Sequence, residues 1–445
     1  MKRFIDKDLD TWAKEENRKP LLVRGARQVG KTYAVRQLGK KYENFIEINF
    51  ELFPEYKNLF QQNLDPKRII KELSYKLAKE IIPKETLLFF DEIQAEPKAL
   101  LSLRYFFEEI PDLPVIAAGS LLDFAIEEVG IPVGRVMSLY VYPCTFLEFL
   151  SALDKAILID AILDHDIKEP INESLHTQLL ELFGEYLAIG GMPEAIVSWK
   201  RKREPLACSV IQHSIIDSYR QDFNKYAKNF QIKYVSALFD SIPRLLGKKF
   251  MYTAVEGDYR ARELIPGLDL LETAGIIRRI YHTAAHHVPL GSEANFKHFK
   301  VLFLDCALAQ ALLGLSMNEW LHNPLQNLSN KGPLVEAAIG QELLGYSYPH
   351  IRQQIYYWQR QEKSSQAEVD YVLHQDSIIP IEVKGGQSSR LLSLHSFIES
   401  HPNSPYGVRF SVKNYGNHDV IRSYPIYAVA AAFKSYAKRA RNLRS

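Results

Sequence analysis

Leu21-Leu22-Val23-Arg24-Gly25-Ala26-Arg27-Gln28-Val29-Gly30-Lys31-Thr32 decides the reading of this chain: an apolar run enters a glycine-bounded loop and leaves it through Lys-Thr. The spacing is Gly-x4-Gly-Lys-Thr. Gly25 and Gly30 let the backbone curl until successive N–H groups face one point, and the following helix aims its positive end at that point. The loop Gly25, Ala26, Arg27, Gln28, Val29, Gly30 therefore reads as a cradle for the phosphates of a nucleotide such as ATP. Lys31 is placed to reach the β- and γ-phosphates, and the Thr32 hydroxyl to take a Mg²⁺ position. Leu21 to Val23 supply the strand and Tyr33 to Leu38 the helix, closed by Gly39.

Outward from the loop, Thr86-Leu87-Leu88-Phe89-Phe90-Asp91-Glu92 is an apolar run ending in two carboxylates, as befits a parallel strand buried on both faces. Ligands of open α/β sheets sit beyond the carboxyl ends of the strands, which puts Asp91 beside the cradle. Asp91 is then the candidate to hold Mg²⁺, directly or through water. Glu92 is the candidate to orient or deprotonate the water that attacks the γ-phosphate. Read alone, two acids at this position are equally the start of a helix. Pro114 to Ser120 forms another buried strand, and Ser120 is the candidate polar sensor of ATPases with an additional strand. Gly134-Arg135 precedes a further strand, and Arg135 either neutralises transition-state charge, in cis or across a subunit interface, or is a surface salt-bridge partner.

At 445 residues the chain exceeds what one core serves, and a formal net charge of +2 gives no global pull toward nucleic acid or membrane. Cys144, Cys208 and Cys306 lie far apart without a CxxC or His pairing, which argues against disulfides and zinc and fits a reducing cytosol. The start Met1 to Asp8 is charged where a signal peptide needs an apolar core, so none is expected there, and no apolar run reaches membrane-spanning length. A cytoplasmic protein with no membrane partner is expected. Phe4, Ile5, Leu9 and Trp12 recur at helical spacing and would pack a first helix onto the domain that follows.

Gly-Ala-Arg-Gln-Val-Gly-Lys-Thr at 25–32, Phe-Phe-Asp-Glu-Ile-Gln at 89–94, Ala-Gly-Ser at 118–120, Gly-Arg at 134–135, Tyr-Pro-Cys-Thr-Phe-Leu-Glu-Phe-Leu at 142–150 and Gly-Gly-Met-Pro-Glu-Ala at 190–195 together resemble the prokaryotic predicted AAA-type ATPases. That family carries a C-terminal domain of unknown function with a restriction-endonuclease-like core. The resemblance implies ATP binding and hydrolysis with Mg²⁺. Expected, then, is an α/β protein: a P-loop AAA-like parallel-sheet domain over 1–145, a helical lid over 146–228, a winged-helix-like domain over 229–296, a nuclease-like α/β domain over 297–430 and a basic tail over 431–445.

In the middle, Arg260, Arg262, Arg278, Arg279 and His282 are the DNA-facing candidates, although winged helices serve equally as protein docking units. Near the end, the order helix, three strands, helix, strand matches the PD-(D/E)xK metal-dependent nuclease core, with Asp370 on one strand and Glu382-x-Lys384 on the next. Side chains two apart on a strand share a face, so Glu382 and Lys384 point together toward Asp370. Asp370 and Glu382, with Glu336 from the preceding helix, are the candidate metal ligands, and Lys384 the residue that positions water. The competing reading is a salt-bridged core in which Lys384 pairs with Glu382 or Asp370. The tail is expected as a basic helix or frayed end, solvated rather than docked. The expected function is an ATPase coupled to DNA or RNA binding or processing, with a second copy of the chain as a possible partner. The alternative is an ATP-driven switch or protein-remodelling ATPase whose nuclease-like domain only binds.

Overall fold

The computed structural model describes residues 1–132, 134–227, 231–360, 367–386 and 391–443, so the expected boundary at 228/229 and Arg444 of the tail lie outside the described residues. Five strands, β1 (Leu21–Arg24), β2 (Asn44–Asn49), β3 (Thr86–Asp91), β4 (Val115–Ala118) and β5 (Met137–Tyr140), form a parallel sheet in the order β2-β3-β4-β1-β5. β4 therefore lies between the strand that enters the glycine loop and the strand that ends in Asp91. The apolar run of β3 is buried on both sides: Leu88 and Phe90 join the core on one face of the sheet, Leu87 and Phe89 the core on the other. The period of two in a strand divides a continuous hydrophobic run this way. The helix Phe4–Ala13 buries Phe4, Ile5, Leu9 and Trp12, the four residues whose spacing announces it.

Helices Phe146–Ala152, Ala156–Leu163, Glu173–Ile189, Pro193–Lys202 and Pro205–Tyr226 follow. The sharp break between the third and fourth rests on glycine: Gly190 has φ +83, and a Cβ at Gly191 would lie 2.4 Å from the Cys144 carbonyl oxygen. Pro193 then opens the next helix at its first turn, where its missing N–H costs nothing.

The rest of the chain shares one mixed sheet of eight strands: β6 (Ile277–Thr283), β7 (Ala294–Phe303), β8 (Tyr356–Gln359), β9 (Glu368–His374), β10 (Ile378–Lys384), β11 (Gly407–Ser411), β12 (Gly416–His418) and β13 (Ile421–Pro425), ordered β12-β13-β11-β10-β9-β8-β6-β7. The expected order is present, with helix Gly332–Gly345, then β8, β9 and β10, helix Leu392–Ser400 and β11. β6, expected as a strand of a separate winged-helix-like domain, instead belongs to this sheet, because it pairs with β7 on one edge and with β8 on the other. The boundary expected at 296/297 accordingly falls inside β7. The tail also differs from expectation. Helix Lys434–Ala440 buries Tyr436, Ala437 and Ala440, and Arg439 reaches back to Asp8 at 2.9 Å, so apolar burial docks the tail where its charges alone read as solvated. Among the described residues no helix is long and apolar enough to cross a membrane, and all three cysteines are free and buried.

Candidate functional site

β1 ends at Arg24, and the loop 25–30 that follows depends on its glycines. Gly25 has φ +150 and a Cβ there would lie 2.2 Å from the Val141 carbonyl oxygen, while Gly30 has φ +94 and caps helix Lys31–Gly39. The Lys31 ammonium lies back across the loop, donating to the carbonyls of Gly25 at 2.9 Å and Ala26 at 2.8 Å. Burial lowers its pKa to about 8, against the pull of the Glu92 and Asp91 charges. A phosphate offers this cation stronger acceptors than two neutral carbonyls.

Asp91 sits where β3 emerges, and the Thr32 hydroxyl donates to it at 3.2 Å. Burial first, then the charge of Glu92, raises Asp91 to about 6, with the Thr32 hydroxyl opposing. Asn49, opposite Asp91 in the β2–β3 register, donates to the same carboxylate at 3.2 Å. A hydroxyl beside a buried, under-compensated carboxylate is the donor set a hard divalent cation takes, so Thr32 and Asp91 fit Mg²⁺. When bound, Mg²⁺ would neutralise the developing phosphate charge.

Glu92 adopts φ +50, and its carboxylate accepts from the Gln94 amide at 2.7 Å. Gln94 packs against Gly119, where a Cβ would lie 2.0 Å from its amide oxygen, and so ties Glu92 to the segment carrying Ser120. One cavity is lined by Gly30, Lys31, Thr32, Glu92 and Ser120 on one side and by Ile196, Lys200 and Arg201 of helix Pro193–Lys202 on the other. The loop's flank is fixed by the next helix: Arg27 pairs with Asp222 at 2.6 Å, Tyr219 donates to the Arg27 carbonyl at 2.7 Å, and Gln28 donates to Ser218 at 3.3 Å. Ala26 and Val29 are buried beneath it. Arg135 is placed elsewhere, donating to Glu108 at 2.7 Å on an exposed surface.

Asn49, Lys200, Arg201 and Arg3 are members that sequence reasoning missed. Lys200 and Arg201 stand in a visible basic run, but nothing local aims it at the loop. Arg3 is buried with Glu148 at 3.1 Å and donates to the Val29 carbonyl at 2.6 Å and the Tyr142 carbonyl at 2.9 Å.

In the C-terminal sheet, the Asp370 carboxylate accepts the Val383 N–H at 2.7 Å, and Lys384 pairs with Glu382 at 2.5 Å. The other Glu382 oxygen has no hydrogen-bond partner among the described residues. Glu336 and Asp370 meet through Lys300, whose ammonium lies 2.9 Å from Glu336, 2.5 Å from Glu368 and 3.7 Å from Asp370. Burial raises Glu336, Asp370 and Glu382 above the usual carboxylate range. Burial alone would lower Lys300, but the charges of Glu336, Asp370 and Glu368 hold it well above its ordinary value. These residues do not fit a metal as they stand: a cation already lies among the acids, and no group of three or more His, Cys, Asp or Glu side chains among the described residues is placed to hold one.

The DNA-facing set is largely internal. Arg279 pairs with Asp269 at 2.8 Å and with Glu272, Arg278 donates to the Gln353 carbonyl at 2.6 Å, and buried His282 bonds the Gln359 carbonyl at 3.0 Å. Arg260 and Arg262 remain exposed. The three on β6 are thus taken up by partners inside the fold: Arg279 by acids of helix Ala261–Thr273, Arg278 by a loop carbonyl and His282 by the neighbouring strand.

Residues 17–150 match the family model of the AAA domain. Residues 180–319 match a domain of unknown function (DUF8612), and residues 331–429 match another (DUF4143). Comparison with curated proteins gave no match. Solved structures similar to the chain include the Walker-type ATPase paby2304 of Pyrococcus abyssi, at 15% identity and a TM-score of 0.43, covering 69% of this chain and 94% of that one. The Aeropyrum pernix ORC1 protein in complex with DNA gives 14% identity and a TM-score of 0.27, covering 70% and 90%. The Pyrococcus furiosus Hef helicase domain gives 12% and 0.17, covering 61% and 69%. All three scores are too low for a shared fold to be read from them. The family match and the loop geometry make residues 17–150 an AAA-type P-loop ATPase domain.

Proposed function

We propose that this chain binds and hydrolyses ATP with Mg²⁺, and that the nucleotide state is communicated to its C-terminal domain. The observation that carries the reading is the convergence of Lys31, Thr32, Glu92 and Ser120 on one cavity faced by helix Pro193–Lys202. Lys31 and the loop N–H groups hold the phosphates, Thr32 and Asp91 the metal, and Ser120 the γ-phosphate. Glu92, oriented by Gln94, takes the proton of the attacking water. Purified protein tests this directly. Lys31→Ala should abolish detectable ATP binding, whereas Glu92→Gln should leave binding intact and slow hydrolysis by about 10²–10⁴, the usual cost of a lost general base. Normal hydrolysis by Glu92→Gln would remove Glu92 from the mechanism.

The C-terminal domain we read as the part that engages nucleic acid. Its strand order, with Asp370 and Glu382-x-Lys384 on neighbouring strands, supports processing. A second reading, a switch whose C-terminal domain binds without cutting, is favoured by the Lys384–Glu382 ion pair. Incubation with DNA and RNA, with and without ATP and Mg²⁺ or Mn²⁺, separates the two by strand breakage. Arg135, on the surface away from its own cavity, is proposed to act on a neighbouring subunit.

A further inference from the structure

Lys300 lies among Glu336, Glu368 and Asp370 of the C-terminal domain, and we infer that it is a built-in cation that keeps these acids free of metal. Its side chain comes from β7, outside the motif that marks the acids, and only 3% of the residue is exposed. The ammonium touches Glu336 from helix Gly332–Gly345 and Glu368 from β9, with Asp370 next to them. The ring of Tyr357, 5.5 Å away, covers a further side. Carboxylate oxygens of Glu336 and Glu368 lie at hydrogen-bond distance from the ammonium, and one of Asp370 stands just beyond it.

A hard cation needs these same oxygens at about 2.0–2.6 Å. It cannot take them while a unit positive charge stands among them. Nor is Lys300 a surface side chain free to leave. Its backbone is paired to Ile280 in β6 and bridged to Lys249, and departure would strand a buried ammonium or three acids without their counter-charge. The lysine expected to position water is also engaged, because Lys384 is bound to Glu382. The acids thus keep a nuclease-like arrangement while their charge is met from within the chain. The domain then works by binding, independent of divalent ions.

This extends the reading in which the C-terminal domain binds without cutting, and metal binding tests it separately from strand breakage. Nucleotide-free, full-length protein is titrated with Mn²⁺, reading bound ion by electron paramagnetic resonance, for wild type, Asp370→Asn, Lys300→Met and Lys300→Met/Asp370→Asn, with circular dichroism confirming the fold. Wild type and Asp370→Asn should bind Mn²⁺ identically. Lys300→Met should gain one site per chain, at least tenfold tighter than any in wild type, and lose it again when Asp370→Asn is added. A folded Lys300→Met protein that gains nothing would overturn the inference, as would a wild-type Mn²⁺ site that Asp370→Asn removes. The wild-type comparison decides alone if Lys300→Met does not fold.

Discussion

Arg3→Met, just ahead of the first helix, should be strongly destabilising, because among the described residues Arg3 is the only cation paired with buried Glu148. The guanidinium makes Nε and Nη2 contacts to that carboxylate at 3.1 and 3.4 Å, and its side chain is 8% exposed against 3% for Glu148. Glu148 would keep two backbone donors, the Phe4 N–H and the Thr145 N–H, both at 2.9 Å, but lose its counter-charge. Removing one partner of a buried pair costs about 3–5 kcal/mol, because the other charge stays buried. The Val29 and Tyr142 carbonyls lose their donor as well, which places the change at the upper end. Glu148→Gln should cost a similar amount by stranding Arg3. The double variant should fall short of the sum of the two by up to about 3 kcal/mol, since the second change removes the stranded charge. Urea unfolding of the full chain, followed by tryptophan fluorescence to which buried Trp12 contributes, measures this. ATP affinity of the still-folded single variants should also weaken, since the Val29 carbonyl anchors the phosphate loop. A loss below about 1 kcal/mol in Arg3→Met, or strict additivity of the two changes, would refute the reasoning.

Asp91, raised to about 6, is protonated more readily in the folded chain than in the unfolded one. Its contribution is therefore fully present below the ordinary Asp range near 4 and is lost as pH rises through about 6. Asp91→Asn should stabilise the nucleotide-free protein at pH 7–8, with the advantage shrinking as pH falls from 6 to 4, and should abolish Mg²⁺-dependent hydrolysis; parallel stability curves for variant and wild type across pH 4–8 would contradict it. Mixing Arg135→Ala with Lys31→Ala protein should restore part of the hydrolysis that neither shows alone, one subunit supplying the cradle and the other the arginine. Mixtures as inactive as the separate proteins would remove the case for a shared site.

The sheet around the glycine loop was legible because its signals are local. A continuous apolar run such as Leu87 to Phe90 can be buried on both faces only in the middle of a sheet, and Gly-x4-Gly-Lys-Thr fixes the strand on one side of it and the helix on the other. The C-terminal strand order was legible for a similar reason, since each strand is marked by its own short, largely buried apolar run. The destination of β6 and β7 was not. Gly275 to Tyr281 reads as a strand, but an edge that accepts β8, with Tyr281 opposite Tyr356, leaves no mark in the strand itself. The tail misled because its positive charges are conspicuous and its buried face, Tyr436, Ala437 and Ala440, is small.

What local pattern cannot supply is the long-range partner of a charge. Thr32, Asp91 and Glu92 stand in recognisable local motifs at a loop and a strand end, whereas Arg3 looks like any basic residue near a terminus. Only folding brings it to Glu148, 145 residues away. The helix that carries Glu148, Phe146–Ala152, has its first N–H bound by Glu342 at 2.9 Å across 196 residues. Buried Glu342 is held there at a pKa of about 7, raised by burial against three hydrogen bonds. The C-terminal domain therefore grips the start of the helix whose Glu148 holds Arg3, and Arg3 holds the carbonyl of Val29 in the phosphate loop. Both grips fall in the first turn of this helix, so the C-terminal domain and the phosphate loop are joined through the short stretch Phe146 to Glu148.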